Sequence, residues 1–251
     1  MFEILYYASP WFLVLGFLVF RVRLPRKLPG APGAPDSGWR RVSVVVPARN
    51  EEDNIERILR SLAASDYPDL ELIVVDDRSD DATSEVAHRV AAELAPDSTA
   101  TIRIVEGEEL PDGGLGKPWA CMQGGRVATG DFLLFTDADT RHAPDLLRRV
   151  IGDMERTGAE AMSLAGRQLM ETFWEKVVQP QIFTSLLFRY YDMRDPKPPK
   201  RYRDAIANGQ YIVFRRETYE AVGGHGAVRG EVVEDMKMAQ ALVRGGHSLH
   251  V

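Results

Sequence analysis

Phe132-Leu133-Leu134-Phe135-Thr136-Asp137-Ala138-Asp139-Thr140 decides how the rest of the chain is read. An apolar run empties here into two carboxylates one residue apart. On an extended chain alternate side chains share a face, so Asp137 and Asp139 would point the same way and could meet one divalent cation at the end of a buried strand. The competing reading is turn chemistry, because strands commonly end in Asp-rich turns. On this stretch alone the two readings are level.

Upstream, Arg41 to Val46 is β-branched and nearly continuous, the pattern of a strand buried on both faces. It ends at Pro47-Ala48-Arg49-Asn50-Glu51-Glu52, where Asn50 is the expected N-cap of a helix with the apolar stripe Ile55, Ile58, Leu59 and Leu62. A second strand, Leu70 to Val75, runs into Asp76-Asp77 and a helix from about Ala82 to Leu94. Thr101 to Glu106 is a third strand, and a glycine-rich loop from Gly107 to Lys117 precedes a helix from Pro118 to about Ala128. Strands alternating with helices predict an α/β fold with a mostly parallel, Rossmann-like sheet that takes ligands at the carboxyl ends of its strands. Asp77 and the Asp137/Asp139 pair would then share one edge.

Downstream, helices are expected over Asp145 to Thr157 and Arg216 to Ala221, with short strands over Ala161 to Leu164 and Tyr211 to Phe214. Glu234-Asp235 opens a last amphipathic helix, whose N-terminus favours negative charge, so capping alone is one reading of Asp235. Glu171 to Tyr191 carries apolar residues over most of its surface, followed by Arg194, Lys197, Lys200, Arg201 and Arg203. That combination suits a segment lying on an anionic membrane surface, and equally a core helix followed by a solvated loop.

Segment 2–20 is almost wholly apolar and as a helix would span roughly 28 Å, close to the ~30 Å hydrocarbon core of a bilayer. The basic residues Arg21, Arg23, Arg26 and Lys27 follow it, which is the reverse of a cleaved signal peptide. The reading is a transmembrane helix over 1–20, a basic Pro/Gly-rich linker over 21–40 and one catalytic-sized domain over 41–251, cytoplasmic by the positive-inside rule. A formal charge of −6 argues against a general nucleic-acid binder. The single cysteine, Cys121, allows no intrachain disulfide and suits a small buried position on a helix.

Several motifs fail. Gly116-Lys117 lacks the rest of a P-loop, with Pro111 and Pro118 where a glycine and a hydroxyl residue are needed, and no Gly-x-Gly-x-x-Gly follows the first strand. The five histidines, His88, His142, His225, His247 and His250, show no zinc spacing and read as surface or structural residues. Asp137-Ala138-Asp139-Thr140 resembles the nucleophile motif of haloacid-dehalogenase phosphatases, but Arg141 is out of pattern and nearly a hundred residues of α/β sequence precede it.

Four segments together resemble the family 2 inverting glycosyltransferases of GT-A fold: Val42-Ser-Val-Val-Val-Pro-Ala-Arg-Asn-Glu-Glu52, Glu71-Leu-Ile-Val-Val-Asp-Asp-Arg-Ser79, Phe135-Thr-Asp-Ala-Asp-Thr140 and Val233-Glu-Asp235. Phe214 to Gly224 is similar to that family's segment before the catalytic acid. Phe173 to Gln181 and Asn208-Gly-Gln-Tyr211 look like the membrane-associated branch that includes carotenoid and ceramide-type lipid glycosyltransferases.

The resemblance implies a hexosyltransferase that uses a nucleotide-sugar, UDP-linked by preference, a lipidic acceptor with a hydroxyl or carboxyl group, and Mg²⁺ or Mn²⁺. It implies Pro47, Ala48, Arg49 and Glu51 against the nucleoside, Asp77 accepting from the uracil ring, and Lys117 reaching the diphosphate. Asp139 is implied as the metal ligand, with Asp137 toward the ribose or the metal, and Asp235 as the general base. Related membrane enzymes carry a Gln-x-x-Arg-Trp motif and further membrane helices beyond the base. Here Gln240 and Arg244 are one residue too far apart, so a C-terminally shortened, single- or multi-pass membrane enzyme is expected. A phosphatase built on Asp137 and a non-catalytic nucleotide-binding scaffold are the alternatives.

Overall fold

The computed structural model describes residues 12, 14–17, 19–20, 27–33, 38–96, 98–189 and 202–251. The described residues of Leu28–Gly166 and Lys197–His250 form one compact unit, and those of Met1–Lys27 and Arg167–Pro196, with Val251, form a second. The larger unit carries strands β1 (Val42–Ala48), β2 (Leu70–Asp76), β3 (Thr101–Glu106), β4 (Phe132–Thr136), β5 (Ala161–Ser163), β6 (Tyr211–Arg215) and β7 (Leu249–His250). Its helices are α1 (Ile55–Ala63), α2 (Thr83–Leu94), α3 (Gly116–Val127), α4 (Leu146–Thr157), α6 (Arg216–Ala221) and α7 (Glu234–Arg244), while α5 (Phe173–Arg189) belongs to the smaller unit.

The sheet order is β3-β2-β1-β4-β6-β5-β7. β1 pairs in parallel with both β2 and β4, and β2 with β3, whereas β6 runs antiparallel to β4 and β5. The first connection thus leaves β1 toward β2 while β4 lies on its other side, which makes the carboxyl end of β1 a topological switch point. Val42, Val44, Val45, Val46 and Leu72 to Val75 are fully buried, as a strand covered by helices on both faces requires. On one face α1 sets Ile55, Ile58, Leu59 and Leu62 into the core, while Arg60 and Arg89 bridge Glu56 and Glu93 across the exposed sides of α1 and α2. On the other face α3 comes so near β1 that a Cβ at Gly124 would overlap Val45 Cγ1. Only glycine permits that approach.

Two local expectations change. Asn50 does not cap a helix: α1 starts at Ile55, and Asn50 takes a left-handed φ of 55°. Its side-chain oxygen accepts from Asp80 N–H at 2.9 Å and its own N–H donates to Ser79 Oγ at 3.0 Å. Bonds to the loop after β2 have won over local capping, and the two strand-end loops are laced together. β1 also runs past Val46, because Pro47 and Ala48 continue the register opposite Val75 and Asp76.

Part of the proline-rich 21–40 segment is packed: Leu28 lies against the core, and Arg149 of α4 donates to Leu28 O and Pro29 O at 3.0 and 2.8 Å. The expected membrane span over 2–20 falls largely outside the described residues, as do the cations from 194 to 201. Positions 12, 14–17 and 19–20 are helical, and among the described residues no helix is long and apolar enough to cross a membrane. In α5 Phe173 and Trp174 are 69% and 70% exposed, and Val177, Val178, Ile182, Phe183 and Leu186 are exposed with them.

Candidate active site

β1, β2 and β4 deliver Pro47, Asp77 and Asp137 to one edge, as expected from their parallel order. Asp77 follows β2 directly and is fixed by its N–H, which donates to Ala48 O at 2.8 Å. It is only 3% exposed. One carboxylate oxygen, Oδ2, lies 3.8 Å from Arg49 Nη1 and so close to the start of α3 that a Cβ at Gly116 would come within 2.7 Å of it. The other, Oδ1, is buried with no hydrogen-bond partner. Burial pushes the Asp77 carboxyl above the usual range against the pull of Arg49 and Arg78. Arg78 itself sits at φ 55°, a strained conformation for a side chain of its size. An unpartnered buried acceptor is open to a donor from a ligand, and a nucleobase N–H is one group that could supply it.

Ala48 is buried, Pro47 and Glu51 are partly buried and Arg49 is exposed. The Glu51 carboxylate is taken up locally by Asn54 Nδ2 at 2.7 Å, and its N–H donates to Thr83 Oγ1 at 2.7 Å. It stands at the edge chiefly as a loop anchor.

β4 ends at Thr136, so the acid pair leaves the strand and enters a turn instead of sharing one extended face. Thr140 Oγ1 closes the turn on Asp137 O at 2.8 Å, leaving Asp137 half-buried and Asp139 exposed. Beneath it the buried His142 puts Nε2 3.0 Å from Thr136 Oγ1 and 3.2 Å from Thr140 Oγ1, and burial drives its pKa down to about 4.

Lys117, on the first turn of α3, joins this turn to the start of α7: Nζ is 2.7 Å from Asp137 Oδ1 and 3.0 Å from Glu234 Oε1. Burial alone would lower the Lys117 pKa, but the two carboxylates outweigh it and raise it. Asp137 is nevertheless raised, because burial, Asp139 and Glu234 outweigh the one lysine it shares. The cluster carries more anion than cation.

Asp235, beside Glu234, accepts from Gly209 N–H on Oδ2 at 2.9 Å and from Met236 N–H on Oδ1 at 2.7 Å. A Cβ at Gly209 would crowd both Asp235 and Lys117 Nζ at 3.3 Å, so a bare backbone lies between them. Pro47, Lys117, Asp137, Gly209, Glu234 and Asp235 line one pocket, floored by apolar side chains that include Phe135 and Met238.

Among the described residues no three or more His, Cys, Asp or Glu side chains gather into a preformed metal cage. Mg²⁺ and Mn²⁺ are commonly held by one or two carboxylates plus substrate phosphates, and Asp137 and Asp139, in a turn with surplus negative charge, fit that donor set.

Motif reading passed over Glu234, Gly209 and His225. Glu234 stands in the sequence as a helix opener and inside Val233-Glu-Asp235, with no role of its own, and Gly209 as part of a branch signature. Nothing in the histidine spacing marked His225, which is buried on the same pocket.

A mainly parallel sheet with a reversed sixth strand, an acid pair after β4 and a second acid pair facing it across a pocket define the GT-A class of glycosyltransferase folds. A mannosyltransferase from Pyrobaculum calidifontis, solved with GDP-Man and Mn²⁺, shares the fold with a TM-score of 0.69 and 27% identity over 99% of this chain and 64% of its own. The chain belongs to glycosyl transferase family 2, whose model matches residues 43–223. It is 25% identical over 211 residues to the 4,4'-diaponeurosporenoate glycosyltransferase of Staphylococcus haemolyticus, covering 81% of this chain and 52% of that one. It is 27% identical over 194 residues to the beta-monoglucosyldiacylglycerol synthase of Trichormus variabilis, covering 73% and 37%. The chain therefore spans about half the length, or less, of these curated relatives. Family and fold set aside the phosphatase alternative for Asp137.

Proposed function

We propose that the chain is the catalytic part of a metal-dependent, inverting glycosyltransferase that moves a hexose from a UDP-sugar to a hydroxyl or carboxyl group of a lipidic acceptor at the cytoplasmic face of the cell membrane. The observation that carries this is the pocket itself, which Lys117, Asp137, Glu234 and Asp235 line together, with Lys117 joining Asp137 to Glu234. In this organisation 1–20 anchors the chain, 21–40 links, and 41–251 carries the chemistry.

Asp77 Oδ1 accepts from the base, with Arg49 beside the other carboxylate oxygen. Asp139 and Asp137 hold Mg²⁺ or Mn²⁺, which when bound offsets charge on the departing diphosphate. Lys117 exchanges its contacts with Asp137 and Glu234 for a phosphate oxygen. Asp235 takes the proton of the acceptor oxygen as that oxygen bonds to the anomeric carbon and the bond to phosphate breaks. A single displacement of this kind inverts the centre and needs one base. Gly209 and Met236 N–H groups each hold one oxygen of Asp235 and leave its remaining lone pairs for that proton.

The exposed Phe173, Trp174, Val178 and Ile182 of α5, in a sequence that continues into Arg194, Lys197, Lys200 and Arg201, support a lipid surface as partner. Two relatives are named for diaponeurosporenoate and for glucosyldiacylglycerol, which supports a lipidic acceptor.

The test is incubation with UDP-sugars, Mn²⁺ and membrane lipids, reading free UDP and glycolipid by mass spectrometry. Asp235→Asn should lower transfer by about 100-fold or more while leaving UDP affinity intact. Unchanged transfer in Asp235→Asn overturns the mechanism. UDP binding without transfer by the unaltered chain would favour the scaffold reading.

A further inference from the structure

His225 lies in the pocket with no part in the mechanism above, yet its surroundings are built to hold one form of the ring. It is 6% exposed and packs on Phe135 with ring centroids 4.3 Å apart, one residue along β4 from Thr136. Tyr219 Oη accepts the His225 backbone N–H at 3.1 Å and lies 2.9 Å from His225 Nδ1. That hydroxyl has one proton to give, and Nδ1 is its only acceptor among the described residues. Burial pushes the Tyr219 pKa up, so the proton stays on the hydroxyl. Nδ1 is therefore the acceptor, and Nε2 carries the ring hydrogen.

The turn is shaped for this pair. Gly223 and Gly224 take φ of 82° and 52°, a Cβ at Gly224 would come 2.7 Å from the Tyr219 ring, and one at Gly125 would come 3.0 Å from Tyr219 Oη. Burial, with Lys117 nearby, lowers the His225 pKa to about 3, so the ring is a neutral donor across the physiological range. With Nδ1 taken by Tyr219, Nε2 is the remaining polar atom of a ring that lines the pocket.

Where the pocket lies decides what Nε2–H meets. The nucleoside belongs at Asp77 and the leaving diphosphate at Asp137 and Lys117, while the acceptor proton goes to Asp235. The transferred sugar must span the space between them, and His225 lines that space with Lys117, Asp137 and Asp235. Resting on the function proposed above, we propose that His225 Nε2–H donates a hydrogen bond to one hydroxyl of the transferred hexose and makes the enzyme select donors that carry it.

The test uses UDP-glucose, UDP-galactose and their monodeoxy analogues, with kcat/KM for transfer and calorimetric affinity for UDP alone. In the unaltered chain, loss of one particular hydroxyl should cost about 10-fold or more. His225→Phe should show the same loss with the parent sugar and no further loss with that deoxy donor, as expected of two groups sharing one contact. UDP affinity should stay within about twofold, His225→Gln should recover part of the discrimination through its amide N–H, and Tyr219→Phe should weaken it by freeing the tautomer. The inference is overturned if His225→Phe still discriminates every deoxy donor as before, or if UDP affinity and melting temperature fall together in both His225 variants. An unaltered chain that transfers no sugar at all overturns the proposed function and this inference with it, a result distinct from active transfer that ignores His225.

Discussion

Replacing Asp77 should move nucleotide affinity and stability in opposite directions. Asp77 is 3% exposed, one carboxylate oxygen has no partner, and the other lies 3.8 Å from the guanidinium of the exposed Arg49. A base N–H donating to a charged acceptor is worth about 1.5–3 kcal/mol, so Asp77→Ala should weaken UDP binding by roughly 10- to 150-fold. In the nucleotide-free protein the same group is a liability, because an unsatisfied buried acceptor costs about 1–3 kcal/mol. Asp77→Asn keeps the shape and removes the charge, and should raise the melting temperature at pH 7.5 by about 2–4 °C for each kcal/mol recovered. The pH dependence has a definite sign. A carboxyl whose pKa is raised by folding stabilises the native state fully below its unfolded value and loses that contribution as pH rises through the folded value. The advantage of Asp77→Asn should thus be absent near pH 3.5 and grow toward neutrality. Calorimetric titration with UDP and Mn²⁺, paired with thermal melts across pH, checks both halves. UDP affinity within twofold of the unaltered chain in Asp77→Ala, or an Asp77→Asn protein that melts lower at pH 7.5, would refute the reasoning.

Lys117→Met frees Asp137 and Glu234 from a shared cation. Discounted for the 39% exposure of the lysine, the lost interaction is about 1 kcal/mol, so Mn²⁺ affinity without nucleotide should rise about fivefold while UDP affinity falls by a similar factor. Manganese resonance titrations would show both changes or neither. Glu71, 1% exposed, accepts from Ser43 Oγ and from Thr129 N–H and Oγ1 at 2.9 and 3.0 Å, and these bonds hold its pKa down although burial alone would raise it. Its contribution is complete above the unfolded pKa and is lost as pH falls through the lower folded one, so Glu71→Leu should cost about 2 kcal/mol at pH 7 and progressively less in acid melts. Gly124→Val sets a side chain into Val45 and should cost about 1–3 kcal/mol in urea unfolding, with the site at the carboxyl edge otherwise intact.

The nucleotide half of the fold is legible because its physics is local. Val42 to Val46 and Leu72 to Val75 are β-branched runs that only a doubly covered sheet can bury, and parallel strands then bring Asp77 and Asp137 to one edge without further information. Asn50 is the opposite case: its bonds go to a loop some thirty residues away, which spacing does not reveal. The far wall of the pocket is harder. Gly209 and His225 matter through contacts with Asp235 and Tyr219 that exist only once β6 has reversed direction and the Gly223-Gly224 turn has closed. α5 shows a third limit, since an apolar helix looks alike in sequence whether its covering is protein or something else.

The reversed β6 strand has a consequence of its own. Because it pairs with β4 as Thr136 opposite Tyr211, the segment entering β6 arrives at the same rim that the segment leaving β4 departs from, and Gln210 O receives Thr136 Oγ1 there at 2.7 Å. In the function proposed above, the nucleotide is held by residues before this seam and in the turn just after β4, while His225 and Asp235 come after it, in stretches of chain that touch along a single pair of strands. Such a layout would be modular: the downstream stretch could change to suit a new sugar or acceptor while the upstream stretch kept the nucleotide edge.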